Sequence, residues 1–229
     1  MLNNFTMVDL SQPLHDDCPT WNGSCGFDIR CKSEPTDEFQ VQEILMQAGI
    51  GTHIDAPYHY KGSKKIDELP LNKFIAKAYV IDVSSIADEY FVFSLKELFD
   101  FEKKFGAIES DTIVIIHTGW CNYWSNPKKY RNEKQNGHMQ YPSVSPDVAK
   151  ELLKRKIAAL GIDTLSPDLS NSQFLVHEIL LSNEIMIIEN VNHANVLPPI
   201  GAYVSALPLK IVGGTESPIR LVGFLKAQL

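Results

Sequence analysis

The sequence lacks the short motifs that place catalysis on a nucleotide or on a serine nucleophile. Its 229 residues contain no Gly-x-Ser-x-Gly elbow, no phosphate-binding glycine loop and no dinucleotide fingerprint. Gly213, Gly214 and Thr215 lie near the end of the chain, but no phosphate-loop lysine follows them. These absences direct the search for chemistry to residues that can bind a metal.

Basic charge, long apolar runs and cysteine are also scarce. The net charge of −7 and the pI near 5.5 argue against nucleic acid or an anionic membrane as a partner. No apolar run approaches the roughly 20 residues of a membrane span, and residues 1–9 lack the basic start of a signal peptide. The four cysteines form no CxxC pair and predict free thiols in a cytoplasmic protein: Cys18, Cys25, Cys31 and Cys121.

Helix signals alternate with short β-branched runs along the chain. Ser94 and Glu97 have the spacing of a capping box, and Gly106 closes that helix. Ser145, followed by proline and aspartate, begins a second helix, and a third is predicted over 173–181. Strands are predicted at 39–48, 79–83, 112–116, 157–162, 185–188, 210–212 and 219–224. The pattern predicts an α/β or mixed α+β fold in one domain.

Residues 122–142 form the most polar and aromatic-rich segment. Long loops of this kind often act as lids or binding loops. An ordered surface loop without a functional role is the alternative interpretation.

Residues 51–59 are the most informative part of the chain. His53 and Asp55 are two residues apart, so on a strand their side chains project from the same face. Pro57 lacks an N–H and bends the chain, which leaves His59 free to turn back toward the same point. Imidazole and carboxylate are the usual ligands of zinc and similar metals, so these residues predict a metal site. A surface histidine pair beside a strand end is the alternative interpretation.

A second cluster offers further ligands. His177 lies on the third predicted helix, and Glu189 ends the apolar run 184–188 where a strand would deliver it. The two residues can converge across one helix-to-strand turn. The adjacent pair His177 and Glu178 is not half of a zinc-protease helix, because Leu181 stands where the second histidine would be. Glu178 is therefore expected to be solvated.

Other polar residues near strand ends have two interpretations. The segment 161–168 carries Asp163, Ser166 and Asp168, which either hold the metal ligands in place or cap the turn into the next helix. The remaining histidines lack a partner at useful spacing and are interpreted as structural or surface groups: His15, His117, His138 and His193.

Taken together, these residues resemble the cyclase family of metal-dependent hydrolases, whose members include bacterial kynurenine formamidases and isatin hydrolases. Residues 51–59, Gly-Thr-His-Ile-Asp-Ala-Pro-Tyr-His, are similar to the most diagnostic family motif, His-x-Gly-Thr-His-x-Asp-x-Pro-x-His. Further matching segments follow in family order: 9–13, 19–21, 118–120, 161–163, 177, 188–190, 206–208 and 217–220.

The resemblance implies a single compact domain of the swivelling β/β/α type over residues 1–229, assembled as a homodimer or higher homo-oligomer. It implies a hydrolase, arylformamidase-like, that cleaves a small amide, lactam or ester with metal-activated water. The expected cofactor is a divalent metal, zinc or alternatively manganese, as one or two ions.

The resemblance also implies roles for particular residues. Four match metal ligands, Asp55 and Glu189 being able to be shared between two ions: His53, Asp55, His177 and Glu189. His59 matches the catalytic histidine, expected to act as general acid and base. Trp21 matches an aromatic residue that contacts substrate, and Tyr58 is either a further apolar wall or a core residue.

One position departs from the family pattern. The family motif begins with histidine, and this chain has Gly49 there, so the expected ligand set falls from five residues to four. The change predicts a single metal or a weakened first site. It leaves open a non-catalytic metal or small-molecule binding protein. A metal-dependent lyase or dehydratase on the same scaffold is a further alternative.

Overall fold

The computed structural model describes residues 5–226, which contain thirteen strands and four α-helices. The helices are α1 Leu95–Phe105, α2 Pro127–Arg131, α3 Pro146–Arg155 and α4 Leu175–Leu181. The strands are β1 Phe5–Asp9, β2 Phe27–Cys31, β3 Gln42–Met46, β4 His53–Asp55, β5 Ile75–Asp82, β6 Val92–Phe93, β7 Ile113–His117, β8 Ser143–Val144, β9 Ala159–Ile162, β10 Met186–Glu189, β11 Ala202–Ser205, β12 Glu216–Pro218 and β13 Val222–Lys226.

Nine of these strands form one mixed sheet. Their order is β1-β13-β11-β5-β7-β9-β10-β4-β12, with β5, β7, β9 and β10 parallel and the flanking strands antiparallel. The strands β2 and β3 form a separate hairpin, and β6 pairs with β8. This arrangement confirms the predicted mixed α/β class.

The connection between β12 and β13 requires the sheet to curl. These strands lie near opposite ends of the strand order, yet only residues 219–221 separate them. Seven interstrand spacings in a flat sheet would cover about 34 Å. A linker of this length spans at most about 14 Å. The two edges of the sheet are therefore drawn toward each other.

The sheet buries apolar side chains on both faces. Along β5, Ala78 and Val80 belong to one apolar cluster, whereas Tyr79 and Ile81 belong to another that includes residues of α1, α3 and α4. This alternation follows from the two-residue period of a strand. A strand that is buried on both faces consists of consecutive apolar residues. This pattern allowed β7 to be predicted from the sequence.

Residues 122–142 contribute buried aromatic side chains to the core. The segment contains α2, and its side chains Tyr130 and Tyr141 are fully buried in a third apolar cluster. Three of the four aromatic residues that mark this segment pack inward, Trp124, Tyr130 and Tyr141, whereas Tyr123 and most of the charged residues between them face solvent. Among residues 5–226, no helix is long and apolar enough to cross a membrane.

The structure confirms two predicted helices closely. Ser94 and Glu97 form the capping box of α1, which ends at Gly106, and Ser145 caps α3 with proline in its first turn. The third helix begins at Leu175, two residues later than predicted, after Phe174 with a φ of 53°.

Three strand predictions need correction. Residues 210–212 form a turn, where Val212 is 85% exposed, because no neighbouring strand pairs with them. The predicted strand at 39–48 is shorter, because only β3, Gln42–Met46, pairs with a neighbour, the strand β2. The run 219–224 is interrupted, because the chain crosses there from β12 to β13.

Candidate metal centre

Strand pairing places three of the predicted ligands together. His53 and Asp55 occupy the first and last positions of β4, which is hydrogen-bonded to β10 on one side and β12 on the other. Glu189, the last residue of β10, lies directly opposite His53. His177 comes from α4, which packs against β10. We call His53, Asp55, His177 and Glu189 the β4–β10 cluster.

Hydrogen bonds orient both imidazole rings of the β4–β10 cluster. The Nδ1 of His53 lies 2.9 Å from the carbonyl oxygen of Gly51, and the Nδ1 of His177 lies 2.8 Å from Oδ2 of Asp168. With Nδ1 donating in each ring, Nε2 carries the free lone pair and points at the carboxylates. Partners of this kind fix the tautomer of metal-binding histidines.

Asp168 also explains the segment 161–168. Its carboxylate accepts the backbone N–H groups of Val176 and His177 at 3.2 and 3.0 Å, in the first turn of α4. It therefore caps the helix and orients the ligand on that helix at the same time. Asp168 therefore fits both interpretations of the segment 161–168: it holds a candidate metal ligand in place, and it caps the following helix.

Each carboxylate of the β4–β10 cluster presents one oxygen to each imidazole. Asp55 Oδ1 lies 3.4 Å from His53 Nε2, and Asp55 Oδ2 lies 3.8 Å from His177 Nε2. Glu189 Oε2 lies 3.3 Å from His53 Nε2, and Glu189 Oε1 lies 3.5 Å from His177 Nε2. The result is two adjacent half-sites, one at each histidine, that share both carboxylates.

The residues present fit a divalent cation. Asp55 is 1% exposed, and within the described chain neither of its carboxylate oxygens has a hydrogen-bond partner. A buried ionised carboxylate without a partner is strongly unfavourable unless a cation compensates it. Burial opposes protonation of His177, but the hydrogen bonds that its ring donates to the carboxylates of Asp168 and Glu189 outweigh burial and raise the pKa of His177 to about 10. The cluster therefore attracts positive charge.

His59 lies at the rim of the β4–β10 cluster, in the short 3₁₀ turn Pro57–His59 that follows β4. Its Nδ1 is 3.2 Å from Oε2 of Glu216, and its ring centroid is 6.1 Å from that of His177. Burial lowers the pKa of His59, but the hydrogen bond that its ring donates to the Glu216 carboxylate outweighs burial and places the pKa above its usual 6.5. The chain does return His59 toward Asp55 after the bend at Pro57, and ligand atoms of Asp55, His59 and His177 lie within 4.8 Å of one another.

Glu216 is the residue of the site that sequence analysis missed. It is the first residue of β12 and lies directly opposite Asp55 on β4. His53, Asp55 and Glu216 each offer a ligand atom, and these atoms lie within 4.8 Å of one another. Nothing in the spacing around Glu216 indicates this, because the pairing joins segments about 160 residues apart.

The cluster forms the floor of a cavity of about 400 Å³ with an aromatic wall. Trp21 lines this cavity, is 41% exposed, and lies 5.9 Å from Phe174 between ring centroids. Tyr60 also lines the cavity, whereas Tyr58 does not: it is 49% exposed, with the Lys65 ammonium 5.2 Å from its ring. The arrangement can hold a small molecule with a flat apolar part above a cation.

Comparisons with known proteins agree on one family. Residues 8–169 match the family described as "Putative cyclase". The chain is 31% identical over 226 residues to a kynurenine formamidase of Geobacillus thermodenitrificans, covering 93% of this chain and 94% of the relative. It is 29% identical over 220 residues to a kynurenine formamidase of Bacillus cytotoxicus, covering 94% of this chain and 95% of the relative.

Solved structures show the same fold. An isatin hydrolase bound to the product analogue thioisatinate superposes with a TM-score of 0.92 at 25% identity, covering 98% of this chain and 94% of the other. Isatin hydrolase A from Labrenzia aggregata, bound to benzyl benzoate, gives a TM-score of 0.91 at 25% identity, covering 98% of this chain and 95% of the other.

Proposed function

The chain belongs to the cyclase family, and we propose that it is a metal-dependent hydrolase that cleaves the C–N bond of a small aromatic amide or lactam. The observation that carries this proposal is the shared use of two carboxylates by two histidines. Asp55 and Glu189 each face both His53 and His177, and the oxygens of Asp55 are buried without a hydrogen-bond partner in the described chain.

The β4–β10 cluster would hold a divalent ion, which would supply Lewis-acid chemistry when bound: a pKa of about 7 for water and polarisation of a carbonyl group. His59 moves the proton. Its Nδ1 faces Glu216, so its Nε2 is free to take a proton from the attacking water and to return it to the leaving nitrogen. The side chain of His59 is 35% exposed, which allows it to reach both substrate and solvent.

The aromatic wall favours a substrate with a ring. Trp21 and Phe174 stand over the cluster, and Phe174 has a φ of 53°, a conformation that is strained for an aromatic residue. The relatives act on kynurenine derivatives and isatin according to their names, which supports an aryl formamide or a fused-ring lactam here. An ester or lactone is the less favoured substrate class.

The cluster suits zinc, with manganese as the alternative. Two imidazoles with carboxylates are typical zinc ligands, whereas a carboxylate-rich set is better suited to manganese. The paired half-sites favour two ions over one, because each histidine faces its own pair of carboxylate oxygens.

Assembly and compartment are part of the proposal. The β2–β3 hairpin lies outside the main sheet and exposes Ile29, Ile44 and Leu45 by 47%, 54% and 64%, which favours a homodimer or higher homo-oligomer. The four cysteines are free, and Cys25 and Cys31 are exposed, which supports a reducing compartment such as the cytoplasm. Light scattering of the purified protein measures the oligomer directly.

The central experiment removes the metal and restores it. Protein stripped with a chelator is reloaded with zinc or manganese and assayed with an aryl formamide, with isatin and with a lactone. We expect activity only in the reloaded protein and the highest kcat/KM with the aromatic C–N substrates.

Product analysis in ¹⁸O-water distinguishes the remaining functions. Hydrolysis places the solvent oxygen in the acid product, whereas a lyase or dehydratase does not. Stoichiometric metal with no turnover of any substrate would instead identify a binding protein, and the absence of bound metal would refute the proposal.

A further inference from the structure

We propose that Glu216 is a fifth metal ligand, and that Gly49 is the residue that makes room for it. The proposal rests on the proposed function, since it assumes a divalent ion in the β4–β10 cluster. The sequence alone predicted that glycine at position 49 removes one metal ligand. We propose that the Glu216 carboxylate replaces it. The two residues are 167 positions apart in the chain and meet only because β12 pairs with β4.

The first step is the space beside Gly49. A Cβ atom built on Gly49 would overlap Oε1 of Glu216 and would lie 3.3 Å from Nε2 of His53. The backbone of Gly49 has no positive φ, so a side chain is excluded there by this carboxylate and not by backbone strain. The oxygen of Glu216 thus occupies the place from which a side chain at residue 49 would reach the His53 half-site.

The second step is the direction of the carboxylate. Both polar contacts of Glu216 use Oε2, which lies 3.2 Å from Nδ1 of His59 and 3.1 Å from Oγ1 of Thr215. Oε1 is therefore left to face the cluster. Ligand atoms of His53, Asp55 and Glu216 lie within 4.8 Å of one another. Metal–ligand bonds of about 2.0–2.2 Å allow ligands of one ion to be up to about 4.4 Å apart, so small movements bring this set onto a cation.

The third step is the neighbouring orphaned group. Asp55 is 1% exposed, and its Oδ1, which lies 3.4 Å from Nε2 of His53, has no hydrogen-bond partner within residues 5–226. Two facing carboxylates with nothing between them repel each other, and a shared cation removes that repulsion. Glu216, with 20% of its side chain exposed, remains in reach of solvent and of an entering ion.

The chemical consequence would be that the half-site at His53 is richer in oxygen ligands, which hard cations prefer. An ion beside His53 would be held by one imidazole and three carboxylates, from Asp55, Glu189 and Glu216. Carboxylate suits manganese and magnesium better than imidazole does. We expect this half-site to discriminate less strongly for zinc over manganese than one in which histidine replaces the carboxylate.

The test measures metal binding without an activity assay. Metal-free wild-type protein, Glu216→Gln and Gly49→Ala are titrated with zinc and with manganese by calorimetry, and bound metal is counted by elemental analysis. We expect Glu216→Gln to lower the binding affinity for one ion by about 10- to 100-fold or more, while the second ion stays bound. Gly49→Ala should fold, because only the flexible end of the Glu216 side chain must move. It should lower the binding affinity for the same ion. Adding Gly49→Ala to Glu216→Gln should have no further effect.

Controls separate this inference from the proposed function. Glu178→Gln removes an exposed carboxylate of α4 that pairs with Lys61 at 3.1 Å, and it should leave metal binding unchanged. The exchange variant Gly49→His with Glu216→Ala should restore the affinity lost in Glu216→Gln and shift preference toward zinc.

The possible outcomes are distinct. Wild-type protein that binds no metal would overturn the proposed function itself. Metal-binding wild type with an unchanged Glu216→Gln would overturn only the inference, and slower hydrolysis in that variant would then show that Glu216 merely positions His59.

Discussion

Two buried clusters of histidine and carboxylate lie at the ends of neighbouring strands, and they differ in whether the carboxylate is already satisfied. In the β4–β10 cluster, Asp55 has no hydrogen-bond partner among the described residues. In the second group, at the ends of β7 and β9, Asp163 accepts the backbone N–H and hydroxyl of Thr118 at 2.9 and 2.7 Å and the N–H of Cys121 at 3.4 Å. We call His117, Cys121 and Asp163 the β7–β9 cluster.

The comparison teaches that residue types do not define a metal site. Ligand atoms of the β7–β9 cluster also lie within 4.8 Å of one another. Burial, reinforced by the charge of Asp163, raises the pKa of Cys121 to about 12, so its thiol stays protonated and is a poor ligand. The carboxylate of Asp163 already accepts hydrogen bonds that stabilise a turn. The carboxylate of Asp55 faces only histidines and other carboxylates, so it requires a cation to compensate its charge.

The largest expected difference comes from matched substitutions of the two aspartates. Asp55→Asn should abolish binding of at least one ion and reduce kcat/KM by about 10³-fold or more, equivalent to roughly 4 kcal/mol. Asp163→Asn should leave metal stoichiometry unchanged and lower the free energy of unfolding by about 2–3 kcal/mol, because hydrogen bonds to a buried charge are weakened. Elemental analysis and urea unfolding measure the two effects. Metal loss in Asp163→Asn would break the comparison.

The next largest effect concerns His59, which offers a ring nitrogen within 4.8 Å of ligand atoms of Asp55 and His177. His59→Ala should keep the fold and most of the metal but reduce kcat by about 10²–10⁴-fold, the contribution of a positioned acid–base group. His138→Ala, at an exposed histidine outside the cavity, is the control and should retain full activity. If metal occupancy falls with activity in His59→Ala, then His59 is a ligand.

Asp168 is an intermediate case. Its carboxylate already accepts hydrogen bonds, and it affects the metal site by orienting the ligand His177. Asp168→Asn should weaken metal binding by about 10- to 100-fold, because His177 loses the group that fixes its tautomer. The cap of α4 weakens as well, so stability should fall by about 1 kcal/mol. Calorimetric titration and thermal unfolding separate the effects. A loss of stability with unchanged metal affinity would leave Asp168 only a helix cap.

The smallest effect is expected at the aromatic wall. Trp21→Ala should raise KM for aryl substrates by about 2- to 10-fold, equivalent to 0.5–1.5 kcal/mol of stacking, with little change for aliphatic formamides. Trp21→Phe should retain most of the affinity. Steady-state kinetics with both substrate classes decide the matter, and equal losses on both would assign Trp21 to supporting its loop, whose carbonyl oxygens accept hydrogen bonds from Arg131.

Local patterns predicted the parts of the protein that local physics controls. The capping box of α1, the capped start of α3 and the buried run of β7 were all visible, because each depends on residues within a few positions of one another. The same holds for His53 and Asp55, whose two-residue spacing places both on one face of β4. The predicted strand at 210–212 failed, since β-branched residues form a strand only where a partner is available.

The sequence by itself determined which residue types are present for chemistry and that the chain forms a mixed α/β fold of the cyclase family. The tertiary structure alone decided that Glu216 meets Gly49 and Asp55, that Asp168 holds His177, and that Phe174 faces Trp21. The physical reason is strand pairing and sheet curvature: they join segments far apart in the chain, and no periodicity or cap in either segment records its partner.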